Sequence, residues 1–431
     1  RVVSRKDEWF QSSCRQSEKG GAGYRTYLSG KWHVTVAGSF MDSEDPRPNG
    51  SWPTQRGFDE FYGRLSGGGS YVEPRRVMRN ETQLSEHPDD FYYTTAITEH
   101  ALEFVEGHDP SEPFFLYLAH YAPHRPLQAP EARIAAYREQ YAVGYDVLRA
   151  ARFRRLQELG MIPASTDLPD LAADFGGAHP SWDSLSPADQ AAWVEEMATY
   201  AAMVEIMDDG IGEVMDALRA KGMFDDTLVL FLSDNGATAE GGMTSRLAAA
   251  LSNTPFRQYK QFTHFGGTRS PLIVHYPAAF AEESGTLRED WAHIMDILPT
   301  VLDLTGIDYP ETFRGEAVVP PDGISLVPAI EGSALPTRDL FFEHQTASAI
   351  LADDWKLVRL ASDRPWQLFD LSNDPFEQHD LAATYLGRAE ALERRWTAWA
   401  EDNHVLPLEA RPWRGRIRHY KAQNPDQDGI D

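Results

Sequence analysis

Asp234 and Asn235 stand side by side at the end of an apolar run, Leu228-Val-Leu-Phe-Leu232, and both carry hard oxygen donors. Such donors suit Ca²⁺ or Mg²⁺ better than softer metals. Five apolar residues bounded by a turn read as a buried strand of a parallel sheet, and ligands gather just beyond the carboxyl ends of such strands. Asp and Asn also favour plain turns, so the pair alone leaves a metal site and a turn equally open. Other chemistry-bearing side chains follow the same design. Lys31 and His33 lie in Gly30-Lys-Trp-His33, after the segment Tyr24–Ser29. His124 lies in Tyr121-Ala-Pro-His-Arg-Pro126, after the apolar Phe114–Ala119. Lys260 lies in Tyr259-Lys-Gln-Phe-Thr263, shortly before a fourth strand-like segment, Ser270–Tyr276. If those strands are parallel neighbours, the lysines and imidazoles converge at one sheet edge. Beside a divalent cation they would make a pocket for a tetrahedral oxyanion, sulfate or phosphate. A surface lysine and an idle loop histidine are the ordinary alternatives for Lys31 and His124.

The elements that must position these groups alternate along the chain. Within Asp90–Glu106, Ile97, Ala101, Leu102 and Val105 recur at helical spacing and form one buried face. Ser186-Pro-Ala-Asp189 matches a capping box with proline at the first helical position. Trp193, Met197, Tyr200, Val204, Met207, Ile211, Val214 and Leu218 then recur at intervals of four and three, and Gly222 supplies the stop. Gly210 and Gly212 weaken the middle of this helix and predict a bend. Asp296–Gly306 reads as another capped helix. Strands alternating with helices predict an α/β fold with a largely parallel central sheet flanked by helices. Proline and polar residues from Ile307 to Gly323 suggest a boundary region. Beyond about Leu335, the short runs Leu340–His344, Ala347–Leu351, Trp355–Leu360 and Trp366–Leu371 predict a small antiparallel sheet, covered by a helix over Ala389–Ala400. The expected units are therefore residues 1–334, a catalytic α/β unit, and 335–431, a small α+β unit.

Composition excludes several functions. Forty basic against 66 acidic residues leave a net charge of −26, which argues against nucleic acid, whose phosphates need a basic face. Any anion site must then be a local cluster working against the overall field. No apolar run is long enough to cross a bilayer, so the chain reads as soluble with no membrane partner. Cys14 is the one cysteine, which rules out an intrachain disulfide. Asn49-Gly-Ser51 and Asn80-Glu-Thr82 match glycosylation acceptors but read as ordinary loop residues. The first residue is Arg1 and no signal-peptide pattern follows it, so a fragment or processed product is expected.

A set of segments in register carries a family resemblance. They are Gly30-Lys-Trp-His33, Arg56-Gly-Phe-Asp59 with Phe61-Tyr-Gly63, Ala122-Pro-His-Arg-Pro-Leu-Gln-Ala-Pro130, and Leu232-Ser-Asp-Asn-Gly-Ala237. Gly266-Gly-Thr-Arg-Ser-Pro271, Met295-Asp-Ile-Leu-Pro299, Asp354-Trp-Lys-Leu357 and Leu368-Phe-Asp-Leu-Ser-Asn-Asp-Pro375 complete them. From about Gly23 to Ala383 the chain resembles the sulfatase family, the arylsulfatase-type hydrolases of the alkaline phosphatase superfamily. The resemblance implies that Asp234 and Asn235 bind Ca²⁺, with Mg²⁺ the weaker match, and that Asp234 helps to activate the nucleophile. Lys31 would bridge nucleophile and sulfate, and His33 would orient the nucleophile's spare hydroxyl and act as base when the intermediate breaks down. His124 and Lys260 would hold the sulfate and stabilise or protonate the leaving oxygen, where charge builds up. The implied partner is a small-molecule or carbohydrate sulfate ester.

The chain also departs from the family. The family's nucleophile is a formylglycine made from a Cys/Ser-x-Pro-x-Arg motif, and an acidic pair completing the calcium site lies still earlier. Neither is visible. Cys14-Arg-Gln-Ser-Glu18 has Gln16 in place of proline and Glu18 in place of arginine. It also lies too close to Lys31 for an intervening helix and strand. A truncated product with an altered reading frame before Ala22 is the expectation, with little activity and a sheet weakened by a missing strand. The full-length form would be compatible with periplasmic or secreted localisation. A phosphodiesterase or phosphonate monoester hydrolase of the same superfamily, and a non-catalytic binder of sulfated glycans, are the competing readings. Arg56, Arg269, His120, His264 and His344 read as structural.

Overall fold

A computed structural model describes residues 23–35, 50–170, 179–313, 315–406 and 408. Cys14 and Asn49 lie outside the described residues. The centre is β1 (Arg25–Lys31), parallel to β2 (Glu60–Arg64) on one side and β5 (Phe114–Ala119) on the other. β3 (Val77–Arg79) and β4 (Thr82–Leu84) extend β2 as an antiparallel hairpin, giving the order β4-β3-β2-β1-β5. Alternate residues of β1 enter two different cores, as a strand buried on both faces requires. Tyr27 joins Tyr62, Tyr93, Ile97 and Phe104 on one side, while Leu28 joins Trp52, Phe58 and Phe61 on the other.

Helix α1 (Tyr93–Gly107) covers the first face, and the second is sealed by the aromatic segment around Trp52 and Phe58. Helices α2 (Glu131–Tyr141) and α3 (Tyr145–Glu158) lead to α4 (Pro187–Ala220). Helix α4 starts where Ser186 Oγ accepts the Asp189 N–H at 3.2 Å and stops before Gly222, whose φ is +70°. It is one continuous helix through Gly210 and Gly212. Gly210 serves packing: a Cβ there would sit 2.1 Å from Thr98 Oγ1 of α1. No helix among the described residues is long and apolar enough to cross a membrane.

One strand expectation needs correction. β6 (Val229–Leu232) is not a fully buried strand of the parallel sheet. Among the described residues it pairs with β7 (Leu272–His275) alone, and antiparallel, with Phe231 opposite Ile273. Both of these residues are exposed. An unbroken apolar run signals burial but carries no information on strand direction. The long connection through α5 (Met243–Ser252) allows an antiparallel return as well as a crossover. Helix α6 (Ile297–Thr305) ends at Gly306 with φ +65°, as the sequence suggests. The Asp296 carboxylate does not cap that helix; it accepts the His293 and Ile324 N–H groups and pairs with Arg338.

A two-residue ladder, β8 (Thr312–Phe313) with β9 (Glu316–Ala317), precedes the last sheet. That sheet is a consecutive antiparallel meander: β10 (Leu340–His344), β11 (Ala347–Ala352), β12 (Trp355–Arg359) and β13 (Gln367–Asp370). Helix α7 (Leu386–Asp402) lays Ala389, Leu392, Trp396 and Ala400 on its outer face. The inner face, with Ala349, Leu351, Val358 and Phe369, packs on Phe265, which precedes this sheet in the chain.

Candidate active site

Lys31 is the last residue of β1, in register with Arg64 of β2, and is therefore strand rather than loop. The ladder continues past it, since the Trp32 N–H donates to Arg64 O at 2.9 Å and the His33 N–H to Leu65 O at 3.2 Å. His33 has φ +55° and its ring rests on Gly67, where a Cβ would lie 2.1 Å from the imidazole. Any other residue at 67 would displace that ring. On the other flank Gly30 is opposite Ala119, so the segment following β5 emerges beside Lys31. Adjacent carboxyl ends of parallel strands thus deliver Lys31, His33 and His124 to one edge. Lys31 Nζ lies 5.7 Å from the centre of the Tyr121 ring. Tyr121 Oη accepts the Gly69 N–H at 3.1 Å and donates to Arg125 O at 2.5 Å. His124 Nδ1 lies 2.6 Å from the same carbonyl. A carbonyl can only accept, so Nδ1 carries the proton and Nε2 keeps its lone pair in the neutral ring.

The other half of the site is built by turns. Past β6, Ser270 Oγ donates to Ser233 O at 2.7 Å, and the Gly236 N–H donates to Gly267 O at 3.0 Å. Asn253 clamps the corner: its Oδ1 accepts the Ala237 N–H at 2.9 Å, and its Nδ2 donates to Gly266 O at 2.8 Å. The Lys260 N–H donates to Ala237 O at 3.0 Å, which ties Lys260 to the residues just beyond Asp234 and Asn235. A Cβ on Gly236 would lie 1.7 Å from Gly266 O, so the approach excludes every side chain. Asp234 is exposed and Asn235 half-buried. The Asn235 amide nitrogen donates to Gly236 O at 3.0 Å, leaving its Oδ1 as the donor atom a cation could use.

Mutual electrostatics join the halves. Burial lowers the Lys31 ammonium, Asp234 opposes that shift, and Lys260 adds to it. His33 falls to about 4, first through enclosure by protein atoms even though the residue is exposed at the rim, then through Lys31, His124 and Lys260. His124 is lowered by burial, with its bond to Arg125 opposing, and then by Lys260 and Lys31. Glu240 acts on it in the opposite sense. Lys31, His33, His124, Lys260 and Asp234 therefore share one neighbourhood, and Asn235 adjoins Asp234. Two lysines, and two imidazoles whose protonated forms burial disfavours, make a site able to receive an anion and then take up protons.

The metal is chemically half-specified. Asp234 and Asn235 are the right donor types for Ca²⁺, but two side chains fall short of its usual six to eight oxygens. No group of three metal-ligating His, Cys, Asp or Glu side chains occurs among the described residues. Several neighbours escaped the sequence reading: Tyr121, Asn253, Glu240 and the glycine seat Gly67. Tyr121 belonged to a segment already singled out, but its contacts, like those of Gly67, span distant loops. Among the residues read as structural, Arg269 stacks on Phe256, Phe265 and Trp291, and His344 Nδ1 lies 3.0 Å from Gln261 O. His120 is enclosed, with both ring nitrogens unpartnered.

Comparison with known proteins places this α/β fold among the hydrolases of the alkaline phosphatase superfamily. Within it, the chain belongs to the sulfatase family, the sulfuric ester hydrolases: the family described as Sulfatase matches residues 20–307. A second family, described as N-sulphoglucosamine sulphohydrolase, C-terminal, matches residues 257–387. An uncharacterized sulfatase of Schizosaccharomyces pombe is 29% identical over 438 residues, covering 89% of this chain and 76% of that protein. An arylsulfatase of Klebsiella aerogenes is 28% identical over 343 residues, covering 71% of this chain and 70% of its own length. The crystal structure of Ps i-CgsB in complex with k-i-k-neocarrahexaose shares the fold, with a TM-score of 0.65 at 24% identity, covering 97% of this chain and 80% of that one.

Proposed function

We propose that the pocket holds the sulfate of a small-molecule or carbohydrate sulfate ester between Lys31, Lys260 and His124, beside Ca²⁺ bound by Asp234 and Asn235. Ca²⁺ would supply positive charge to the sulfate oxygens and to the nucleophile. Lys31 and Lys260 offset the negative charge of the ester's sulfate group. His124, with Nδ1 tied to Arg125 O, is set to present Nε2 to the ester oxygen and hold a proton there as charge builds. His33, neutral at pH 7, is suited to accept a proton. Cys14 lies outside the described residues, and the nucleophile is assigned to no residue.

The observation that carries this reading is the shared neighbourhood of Lys31, His33, His124, Lys260 and Asp234. Calorimetric titration with inorganic sulfate, with and without Ca²⁺, tests it independently of turnover. Lys31→Ala and Lys260→Ala should each weaken sulfate about tenfold, equivalent to about 1.4 kcal/mol, and Asp234→Ala should abolish the Ca²⁺ dependence. Unchanged sulfate affinity in the Lys31→Ala/Lys260→Ala double variant removes the site. Phosphate bound more tightly than sulfate moves the reading to phosphoester chemistry.

A further inference from the structure

The Lys356–Glu377 pair of the C-terminal unit is wholly buried, with Nζ and Oε1 2.7 Å apart and both side chains at 0% exposure. A buried ion pair seldom stabilises a fold more than apolar side chains of similar volume. Its bonds show what it holds. Glu377 Oε2 accepts the Phe265 N–H at 2.8 Å, and Glu377 O accepts from Arg257 Nη1 at 2.7 Å. Lys356 Nζ sits 3.7 Å from the centre of the Phe265 ring. Phe265 opens the single helical turn Phe265–Thr268, whose first N–H groups have no partner within the turn. His264, at the capping position, makes no side-chain cap bond. The acceptor comes instead from a residue 112 positions away.

That turn is the seat of one half of the site. Gly267 O takes the Gly236 N–H and Gly266 O takes the Asn253 amide, while Ala237, held by Asn253, takes the Lys260 N–H. We propose that Glu377 and Lys356 are positioning residues for the anion site. Glu377 fixes the Phe265 turn, Lys356 fixes Glu377, and the turn sets where Lys260 and the Asp234–Asn235 corner stand. The C-terminal sheet is then a working part of the pocket. This inference rests on the sulfate-site reading above.

Two double variants separate positioning from plain stability. Lys356→Met/Glu377→Gln removes both charges but keeps an oxygen for the Phe265 N–H. Lys356→Met/Glu377→Leu removes the charges and that oxygen. Calorimetry with inorganic sulfate should find the first within about twofold of the parent and the second about tenfold weaker, a difference of about 1.4 kcal/mol. Thermal unfolding should place the Leu variant somewhat below the Gln variant, because its Phe265 N–H is left unpaired, with both fully folded at the titration temperature. Equal sulfate affinity in both variants and the parent overturns the inference and makes the pair a core contact only. If neither variant folds, hydrogen exchange of the parent decides. The Phe265, Gly236 and Gly267 amides should exchange as one class, and separate classes overturn the coupling. A parent that binds no sulfate refutes the sulfate-site reading, while the exchange result still tests the coupling.

Discussion

Acid should loosen this protein through a histidine outside the pocket, and the effect can be sized. His264 is fully buried between the Phe265 turn and the C-terminal sheet. Its Nε2 lies 3.2 Å from Gln367 Oε1, and its Nδ1 has no hydrogen-bond partner. Burial is the main reason its imidazole falls from 6.5 to about 4, with Glu377 opposing and Lys356 and Arg257 adding smaller effects. The unfolded chain therefore binds this proton near pH 6.5 and the folded chain only near pH 4. Between those values the unfolded state holds more protons, so stability is full above pH 6.5 and declines as pH falls toward 4. At pH 5 the unfolded ring is almost fully protonated and the folded ring roughly one-tenth so, which costs about 2 kcal/mol relative to pH 7. His264→Gln retains a polar partner for Gln367 but cannot titrate. Urea unfolding at pH 7 and pH 5 should show the parent losing about 2 kcal/mol more than His264→Gln at equal denaturant slopes. Any cost of the substitution at pH 7 cancels in that difference. Parallel losses for the two proteins would refute the reasoning.

Sulfate affinity should strengthen from pH 7.5 to pH 5.5, because burial disfavours the protonated forms of His33 and His124 in the free pocket and a bound dianion favours them. Each proton taken up contributes at most about tenfold per pH unit, and a His33→Gln/His124→Gln variant should give a flat calorimetric profile over that range. Gly236→Ala should cost about 1–3 kcal/mol through overpacking, measured by urea unfolding, and should weaken sulfate binding, because its Cβ would meet Gly266 O at 1.7 Å. Wild-type stability in that variant would mean the Gly236–Gly266 approach is not tight in solution.

Local signals in the sequence were enough for the elements that declare themselves by period or punctuation. The helix stripe from Trp193 to Leu218, its Ser186 start and Gly222 stop appear in α4, and the four short C-terminal runs appear as β10–β13 within a residue or two. The β6–β7 direction was not legible, because apolar runs do not encode it. Gly210 illustrates a similar limit: its cost to helix stability is visible in the sequence, whereas the Thr98 contact that requires it is not. For the site, residue type and position after a strand singled out Lys31, His33, His124 and the Asp234–Asn235 pair. The supports did not stand out, since Asn253, Gly67 and Glu377 act on residues far away in the chain.

The two halves of the pocket share no backbone ladder among the described residues, so something else must set their separation. Lys31 and His33 are fixed by the β2–β1–β5 register, whereas Asp234, Asn235 and Lys260 hang from the Asn253 and Phe265 turns. Arg125, next to His124, bridges them by donating to Glu196 of α4 and Ser245 of α5. A Cβ on Gly241, in the loop leading from the Asp–Asn corner to α5, would meet the Arg125 guanidinium at 2.8 Å. One planar guanidinium can satisfy a carboxylate and a hydroxyl at fixed angles, which a lysine could not. Arg125 thus ties the His124 segment to α4 and to α5, and α5 leads on to the Asn253 clamp that holds the other half.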